Sequence, residues 1–585
     1  MKKYIKRIAG AIVAAAALMT VSPACTSDLD TMPLDDNQLV SQQVYSTSDG
    51  YMGVLAKCYA SLILTGQQGG DGGNGDLEGA NEGYSGYVRL LFYMQELCTD
   101  NFLMPSSSNG LRRCLNCDWD ASNAAVVKWT YQRLYMAIAY CNEFLRECTP
   151  DKLQSRGLWD ELGPKCNEYR AEARMIRAYC YAQLVDMFAN VPIIDESVGP
   201  KDLPVQFTRK EVFDYAVTEL MAICGDEPGS DDILANPKSA LYGHVDKVAA
   251  WMQLSRLFLN AETWGCGNRY ADAYKYARKV IDSNAYPLAS DYRHIFLADN
   301  NQCQEIIWPL VQDGLRAQSS AGTNFYVKAF VNGPMDELYQ TGVGSKGWGN
   351  VRAKTTLVDA FDPSDVMFDV NDTWGNNKAD KRASFMTALP NQVKETWDEN
   401  DNMTSTYTRG YGYIKWRNVT KDDKICPSGD TYTSIDFPLF RTAEAYMTAA
   451  EAILRGGGGT PAEALELVNE IRERAYMSDR YARAGVRSDV SGKISQNELS
   501  LDFILAERQR EFASECLRRT DLTVSANGPP ATTGTGRVAN ASAPTCPHSA
   551  PSSPSPRMSL PTIPPSSRTT AIRALWQNNG SFHHP

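Results

Sequence analysis

Histidine is scarce in this chain, which limits the chemistry that imidazole side chains could provide. There are only five histidines among 585 residues, and three of them, His548, His583 and His584, lie in an atypical final segment. His244 and His294 are the other two. Because a histidine general base or a histidine-bound zinc ion needs imidazole groups at defined positions, the sequence offers little support for either.

Two cysteines, Cys114 and Cys117, have the spacing of a metal-ligand pair. No second cysteine pair and no histidine lies near them in the sequence, whereas a zinc site needs further ligands. We therefore expect a local disulfide or free thiols here, and we predict neither a bound metal nor a cofactor. Other cysteines lie within helix-like stretches and are expected to be buried, reduced thiols: Cys141, Cys166, Cys180, Cys224 and Cys516.

The overall composition is that of a globular, acidic protein. The chain is 43% hydrophobic, and 58 Lys and Arg stand against 69 Asp and Glu, for a net charge of -11. Nucleic-acid binding needs clustered basic residues that displace counterions from phosphates, so this balance argues against a nucleic-acid partner. Aromatic residues are plentiful, with 29 Tyr, 18 Phe and 11 Trp.

The first 24 residues have the pattern of an export signal. A basic start, residues 1–7, precedes an apolar run, residues 8–19, that is too short to span a bilayer. Residues 21–25 then resemble the end of a bacterial lipoprotein signal, in which Cys25 would be acylated and become the mature N-terminus. An ordinary secretory signal is the alternative. Attachment to a membrane would then be through lipid.

The elements that must position any functional side chains are mainly helices. Apolar residues recur at helical spacing, and two helix pairs of tetratricopeptide size follow from small residues and turn signals. Thr460-Pro461-Ala462-Glu463 predicts a helix start with a capping box. Residues 285–435 lack this regularity and read as a loop-rich region of the kind that often carries binding sites. The predicted helices cover residues 129–145, 169–181, 247–264, 270–283, 441–454, 461–475 and 501–517.

Several stretches, in order along residues 25–522, resemble the SusD/RagB family of glycan-binding lipoproteins of Bacteroidetes. These stretches begin directly after the signal, and others lie in predicted helices and near the end of the domain: 25–30, 95–100, 133–142, 172–179, 190–192, 441–446, 469–475 and 507–512.

The resemblance implies a mostly α fold, in which a tetratricopeptide-like helical-repeat scaffold carries a loop-rich glycan-binding face. It also implies a partner, a SusC-like TonB-dependent outer-membrane barrel, and a lipid-anchored location at the outer membrane. Residues 1–24 would be the signal peptide and residues 25–522 the SusD-like domain.

The resemblance further suggests which residues would contact a sugar. A sugar ring has an apolar face that can lie on an aromatic ring, and its hydroxyls need directed hydrogen bonds. The positions that match sugar-contacting segments of the family are Asn81, Arg89, Asn109, Tyr326 and Trp348. Starch-binding members have a tryptophan three residues before that Asn109, where this chain has Ser106, so starch itself is in doubt. Arg89 could instead form a structural salt bridge, and Trp348 could instead fold onto the scaffold.

Three functions remain open from the sequence. The first is a non-catalytic protein that captures an oligo- or polysaccharide and passes it to a transporter. The second is an exported glycoside hydrolase, which would need two carboxylates beside a sugar cleft. The third is a tetratricopeptide-type adaptor that binds a protein or peptide. We favour the first.

Residues 523–585 differ abruptly from the rest of the chain. They contain no Asp, Glu or Lys and hold eleven of the 29 prolines. One interpretation is a disordered linker rich in Pro, Ser and Thr. The other, which we favour, is a frameshift near codon 522. Because the genetic code is degenerate, the codons of residues 523–539 are compatible with the peptide RFGKWTTGYNWDWKGG when they are read in the shifted frame. The codons of residues 551–572 are compatible with a second peptide. Both peptides resemble the C-terminal segment of the family.

Overall fold

The computed structural model describes residues 41–66, 75–104, 108–117, 125–199, 202–331, 336–388, 392–396, 409–426 and 428–526. These residues fall into two compact units, 41–51 and 52–526. The α-helices, in chain order, are α1 Ser41–Val44, α2 Ser48–Ala60, α3 Glu82–Ser85, α4 Tyr87–Gln95, α5 Leu111–Leu115, α6 Ala125–Glu147, α7 Pro150–Ser155, α8 Trp159–Leu162, α9 Cys166–Phe188, α10 Arg209–Cys224, α11 Lys247–Asn260, α12 Tyr270–Ser283, α13 Thr323–Lys328, α14 Asp336–Tyr339, α15 Thr355–Val358, α16 Pro363–Val366, α17 Thr442–Leu454, α18 Pro461–Tyr476, α19 Leu501–Phe512 and α20 Arg518–Ala526.

Among the described residues the strands are short and form two-stranded pairs. They are β1 Phe102–Leu103, β2 Val191–Pro192, β3 Gln206–Phe207, β4 Ile306–Leu310, β5 Arg352–Ala353, β6 Phe385–Met386, β7 Gly412–Tyr413 and β8 Phe437–Arg441. The antiparallel pairs are β1 with β5, β2 with β3, β4 with β8 and β6 with β7. The prediction of a mostly α fold is confirmed.

The longer helices form a stack in which each helix packs on the next. α6 packs on α9, α9 on α10, α10 on α11 and α11 on α12, and α17 packs on α18. α12 also packs directly on α17. Residues 284–441 are therefore an insertion between two helices that are neighbours in the stack. Within its described residues this insertion contains no helix longer than six residues.

Small side chains explain the close packing of the predicted pair α11 and α12. Ala249 and Ala250 on α11 are fully buried, as are Ala273 and Ala277 on α12. Without long side chains between them, two helices can approach closely and bury a continuous apolar seam. The helix pair expected from the sequence is therefore present, although α11 ends at Asn260 rather than near residue 264.

Helix starts agree with the capping signals in part. The Thr460 side chain accepts a hydrogen bond from the Glu463 backbone N–H at 3.1 Å, as predicted for the start of α18. The Glu463 carboxylate, however, accepts a hydrogen bond from the Tyr274 hydroxyl. A full capping box with both reciprocal bonds occurs instead at Thr208 and Glu211, at the start of α10.

The predicted helix 501–517 is shorter than expected. α19 ends at Phe512, and Ser514 and Cys516 have φ angles of 67° and 66°. These left-handed values break the helical path, because a side chain in this region crowds the backbone. The chain turns there and begins α20 at Arg518.

Buried ion pairs join α19 to the insertion and to the helix stack. Glu511 is fully buried and accepts hydrogen bonds from Arg441 at 2.7 Å, from Arg382 at 3.2 Å and from Arg474. Glu305 in turn accepts from Arg441 at 2.9 Å and from Arg474 at 2.6 Å. These arginines belong to the insertion, to the start of α17 and to α18. The network therefore ties the insertion and the helix stack to one short helix.

Two predictions from the chain ends lie outside the described residues. The first concerns the signal, residues 1–24, together with Cys25, and the second concerns residues 527–585 of the tail. Residues 523–526 are described and continue α20. Among the described residues, we find no helix that combines the length and the apolar character needed to cross a membrane.

Candidate functional site

Arg89, on α4, is held among aromatic rings rather than against an acid. Its guanidinium lies 4.2 Å from the ring centroid of Tyr84, 4.8 Å from that of Phe325 and 5.5 Å from that of Trp348. Nε donates to the Tyr93 hydroxyl at 2.6 Å, and Nη1 donates to the Gly83 carbonyl at 2.9 Å. In the described part of the chain no carboxylate pairs with Arg89, so the alternative of a structural salt bridge is not what the structure shows.

Trp348 supplies the exposed ring of this group. Its side chain is 37% exposed, while its inner side packs against Phe325 with 6.4 Å between centroids. The backbone N–H of Trp348 donates to the Lys328 carbonyl at 2.7 Å, which anchors the turn to α13. The indole thus rests on the scaffold through one part of its surface and faces solvent through another.

Lys328 adds positive charge beneath the same turn. It is almost fully buried, and its Nζ donates to the Thr431 carbonyl at 2.5 Å. Burial, together with the nearby charge of Lys346, lowers the pKa of Lys328 to about 8. Lys346 itself pairs with Asp430 at 2.7 Å. The tryptophan turn is therefore bound to the 430–431 segment by two lysines.

Asn81 contributes at the edge of the group through the start of α3. Its side-chain oxygen accepts a hydrogen bond from the Tyr84 N–H at 3.1 Å, as an N-cap. The residue is exposed, and its amide nitrogen has no protein partner in the described chain. Asn81 thereby fixes the turn that carries Tyr84 and keeps two donor hydrogens free.

Glu82 ties this segment to the insertion and is itself fully engaged. It is buried and accepts hydrogen bonds from the hydroxyls of Thr65 at 2.7 Å and Ser319 at 2.8 Å, and from the Ser320 N–H at 3.1 Å. The carboxylate therefore positions the α3 turn against residues 319–320. It has no exposed oxygen with which to meet a ligand.

Arg133 holds the other side of the same turn. This fully buried side chain on α6 donates to the Ser85 carbonyl from Nε at 2.9 Å and from Nη2 at 2.6 Å. It also forms a two-pronged ion pair with Asp76. The loop that carries Asn81 and Tyr84 is thus anchored to a long helix of the stack.

Asn109 lies in a different element near this group. It sits in a short 3-10 turn, Ser108–Gly110, with a left-handed φ of 55°. That turn packs on α6, whose Trp129 ring contacts the Tyr84 ring at 6.2 Å between centroids. The Asn109 side chain is partly exposed and makes no hydrogen bond within the described residues.

The expectation for Tyr326 needs correction. Tyr326 is fully buried on α13, and its ring contacts Phe92, Trp416 and Phe437. Its hydroxyl lies 3.0 Å from the Cys516 sulfur and 3.3 Å from the Val88 carbonyl oxygen. A sugar has no access to this ring, because the residue belongs to the core beneath the group.

Tyr84 is the residue that sequence reasoning missed. Its half-buried ring covers the Arg89 guanidinium and stacks on Tyr93 at 6.1 Å. Gly86 makes this possible, since a Cβ there would lie 2.4 Å from the Ala321 Cβ and force the α3–α4 corner outwards. The available signal is modest: Tyr84 lies between Asn81 and Arg89 in one glycine-rich stretch.

The structure therefore brings Asn81, Tyr84, Arg89 and Trp348 into one region, which we call the Arg89 platform. Trp348 and Asn81 are exposed, so the indole can stack a flat apolar face and the Asn81 amide can donate hydrogen bonds. Arg89, whose Nη2 has no hydrogen bond within the described residues, is only 6% exposed. Among the described residues, we find no group of three or more His, Cys, Asp and Glu side chains placed to hold a metal ion.

Comparison with known proteins defines the class to which this chain belongs. Residues 304–523 match the family model described as the SusD family, and residues 78–259 match one described as "Starch-binding associating with outer membrane". The chain belongs to the SusD family.

Particular relatives make the similarity concrete. The chain is 31% identical over 550 residues to the Starch-binding protein SusD of Bacteroides thetaiotaomicron, covering 89% of this chain and 90% of that protein. Its fold is similar to that of a SusD-like carbohydrate-binding protein from Bacteroides fragilis, with a TM-score of 0.58, 17% identity, and 82% and 86% of the two chains covered.

A solved complex shares the fold as well. This is the surface glycan-binding protein A from Bacteroides thetaiotaomicron with laminarihexaose, at a TM-score of 0.55 and 17% identity, covering 82% of this chain and 90% of that one. At this level of identity the match concerns the fold alone.

Proposed function

We propose that this protein binds carbohydrate without cleaving it, and that the Arg89 platform is the binding surface. The relatives named for starch and for surface glycans support a carbohydrate ligand. Asn81, Tyr84, Arg89 and Trp348 would contact the ligand, with Asn109 as a further polar contact from its own turn. Tyr326 has no place in this proposal.

The observation that carries the proposal is the pairing of an exposed indole with a cation that no acid in the described chain neutralises. Trp348 offers an apolar surface to the C–H face of a sugar ring, as stacking requires. Arg89 beside it retains an Nη2 group without a protein partner in the described chain, and this group can donate to a sugar hydroxyl. The stacking surface of Trp348 and the hydrogen-bond donor of Arg89 thus lie close together, with 5.5 Å between the guanidinium and the indole centroid.

A hydrolase is the weaker alternative on this geometry. Glycoside hydrolysis needs two carboxyl groups on either side of the scissile bond, about 5–10 Å apart. The carboxylate closest in sequence to the platform residues, Glu82, is buried and occupied by three hydrogen bonds. Asp76, on the same loop, is committed to Arg133. Both of these carboxylates are thus engaged. Glu78, three residues before Asn81, is exposed, but one accessible carboxylate on this loop does not make the pair that hydrolysis needs.

The proposal extends to a location and a partner. The chain would be anchored at the outer membrane by a lipid on Cys25, and it would pass captured oligosaccharide to a SusC-like TonB-dependent barrel. The family description of association with the outer membrane supports the location. Metabolic labelling with a palmitate analogue tests the anchor, because Cys25→Ala should abolish labelling. Purification of the tagged protein from solubilised outer membranes tests the barrel partner, whose absence would refute it.

A ligand screen tests the binding function. Purified protein is titrated calorimetrically with a malto-oligosaccharide, laminarihexaose and a panel of plant and host glycans, and the products are analysed by chromatography. We expect binding without released sugars. Cleavage would favour the hydrolase, and a panel without any binding would favour the adaptor for proteins or peptides.

A matched pair of tryptophan variants locates the site. Trp348→Ala should weaken binding at least about tenfold, equivalent to about 1.4 kcal/mol, because it removes the stacking surface. Trp159 is exposed to the same degree, 38%, but lies on α8, away from the named platform elements. Trp159→Ala should leave affinity unchanged. Equal losses in the two variants would contradict the site.

A further inference from the structure

The Cys114-x-x-Cys117 motif is divided in the structure. Cys114 is fully buried in α5, whereas Cys117 lies just after α5 and is exposed. Cys117 has a left-handed φ of 53°, which turns its side chain away from the helix path. The thiol next to Cys117 is that of Cys98, three residues after the end of α4. The Cys117 sulfur lies 3.5 Å from the Cys98 carbonyl oxygen, and the Cys98 sulfur lies 3.3 Å from the Met94 carbonyl oxygen. Cys114 and Cys117 are therefore free thiols in the structure, one of the two outcomes expected from the sequence, and the thiol next to Cys117 is that of Cys98.

The surroundings of the two sulfurs differ in a way that assigns them different roles. A hydrogen bond from Cys98, followed by the charges of Lys354 and Arg519, lowers the pKa of Cys117 to about 7. The same hydrogen bond and burial raise the pKa of Cys98 well above its usual value. Thiolate, not thiol, is the attacking species in exchange. Cys117 is exposed and Cys98 is partly exposed, so Cys117 is the more accessible of the two thiols and is taken as the attacking one.

We propose that Cys98 and Cys117 form a disulfide by thiol–disulfide exchange, which closes residues 98–117 into a covalent loop. The oxidant is a disulfide, either a small molecule such as glutathione disulfide or a disulfide-carrying oxidoreductase. The Cys117 thiolate attacks one sulfur of this disulfide, forms a mixed disulfide and releases one thiolate. Cys98 then loses its proton to water and attacks the Cys117 sulfur, which releases the second thiolate. Two protein thiols are oxidised, and one disulfide is reduced to two thiols.

The loop closed in this way contains β1, the Ser108–Gly110 turn and α5. Asn109 lies within it. The proposal does not depend on carbohydrate binding, because the link is read from peptide masses and not from a binding constant.

A second cysteine pair provides an internal reference. Cys148 and Cys166 have their sulfur atoms 3.9 Å apart, but both residues are buried. Exchange requires access of the oxidant to the attacking sulfur. The Cys98–Cys117 link should therefore form well before any Cys148–Cys166 link.

Mass spectrometry of the purified full chain tests the proposal. The reduced protein is exposed to glutathione disulfide near pH 8, quenched with N-ethylmaleimide at intervals and digested with trypsin without reduction. Cleavage at Arg112 and Arg113 separates the Cys98 peptide from the one that carries Cys114 and Cys117. We expect these two peptides to appear linked, two hydrogen atoms lighter than their sum.

Single variants decide which sulfurs are joined. Cys114→Ser should keep the link, and Cys117→Ser should abolish it. Cys98→Ser should instead trap one glutathione on Cys117. Recovery of both thiols as maleimide adducts, a link between Cys114 and Cys117, or a Cys148–Cys166 link that forms first would overturn the proposal.

Discussion

At the residue scale, Arg89 shows how a buried cation can be held among aromatic rings without an acid to neutralise it. The rings of Tyr84, Phe325 and Trp348 lie within 5.5 Å of its guanidinium, and a hydroxyl and a carbonyl accept two of its donors. Cation–π contacts contribute about 0.5–2 kcal/mol each, depending on exposure. No carboxylate in the described chain pairs with the remaining N–H groups, and under the proposed function a hydroxyl-rich ligand would reach them through the 6% of Arg89 that is exposed.

Variants at Tyr84 test whether the ring that covers Arg89 belongs to the site. Tyr84→Ala should weaken binding of the glycan identified by the screen about tenfold, because it removes a ring of the platform and frees the arginine to move. Tyr84→Phe keeps the ring and should retain most of the affinity. Isothermal titration calorimetry of both variants is the measurement. Equal affinities for wild type and Tyr84→Ala would remove this residue from the platform.

Tyr326 offers the converse test. Tyr326→Phe should leave glycan affinity unchanged, since the ring lies in the core. It should cost about 0.5–1.5 kcal/mol of unfolding free energy, because the Val88 carbonyl and the Cys516 sulfur lose a hydrogen-bond partner. Urea denaturation and calorimetry on the same sample give both values. A tenfold loss of affinity would return Tyr326 to the binding site.

Arg89 and Trp348 could be predicted from the sequence as candidate site residues. The sequence could not show that Phe325, and not Tyr326, lies beneath the platform. These two neighbours lie on a six-residue helix, too short for its periodicity to show which side faces the core. In the structure Phe325 lies beneath the platform and Tyr326 points deeper. Tyr84 was missed for a related reason, since its approach to Arg89 depends on a corner at Gly86 that only the contact with Ala321 reveals.

At the element scale, the turn between α17 and α18 depends on close backbone approach. A Cβ on Gly457 would lie 2.4 Å from the Tyr270 carbonyl oxygen, at the start of α12. Gly457→Ala should therefore destabilise the protein by about 1–3 kcal/mol, as overpacking does. Chemical denaturation measures this change.

Gly53 supplies the control for that substitution. It lies exposed on α2, and beyond its chain neighbours and the adjacent backbone of its own helix, a Cβ added there would have no heavy atom within 4 Å. Gly53→Ala should stabilise the protein by about 0.5–1 kcal/mol, because alanine loses less conformational entropy in a helix. A loss of stability in both variants would mean that the contact with Tyr270 is not the cause.

Local signals predicted the helix pairs well, whereas long-range packing escaped them. Alanine-rich periodicity located α11 and α12, and the Thr460 cap located α18. Nothing in the sequence showed that α12 packs on α17 across residues 284–441. The end of α19 also escaped prediction, because Ser514 and Cys516 adopt left-handed backbone angles without a glycine to signal them.

At the scale of the whole molecule, stability depends on the buried ion pairs around α19. Glu511→Gln removes the carboxylate shared by Arg382, Arg441 and Arg474 and leaves their charges less compensated. Breaking a buried pair costs about 3–5 kcal/mol. We expect a loss of this size in urea denaturation near neutral pH. A loss below about 1 kcal/mol would show that solvent or neighbouring acids compensate these arginines.

The stabilisation that Glu511 provides should depend on pH. Burial alone would raise the pKa of Glu511, but the charges of Arg474, Arg441 and Arg382 outweigh burial and lower the pKa to about 2. In an unfolded chain the pKa of glutamate is about 4.3. The stabilisation is therefore fully present above about pH 4.3 and is lost as the pH falls through about 2.

Denaturation series at several pH values measure this effect. The stability difference between wild type and Glu511→Gln should stay constant from about pH 7 to about pH 5 and shrink below about pH 4.3. A difference that stays constant down to about pH 3 would contradict the assignment of the effect to this carboxylate.

The frameshift hypothesis can be tested on the protein as well as on the gene. The family match ends at residue 523, next to the change of composition. At the contact between α9 and α20, the buried atoms Gln183 Oε1, Asp186 Oδ1 and Arg519 Nε have no hydrogen-bond partner in the described chain. Replacing residues 523–585 by the shifted-frame sequence should raise Tm by several degrees relative to a chain that stops at residue 522.

Two results would contradict that hypothesis. Scanning calorimetry could show no gain in Tm for the restored sequence. Resequencing of the gene could show that the shifted frame does not encode the two peptides.

Because α12 packs directly on α17, the helix stack and the insertion between these two helices can evolve at different rates. The insertion leaves and returns at adjacent points, where β4 pairs with β8 along its base. Selection can therefore change the exposed turns of residues 311–436, such as the one that carries Trp348, while buried members such as Arg382 and Tyr326 keep the insertion in contact with the helices. Trp348 lies within residues 311–436, and Arg89 lies outside them. A recombination event in this region would replace the turn that carries Trp348 and keep Arg89. Ligand specificity would then change faster among relatives than the helical fold.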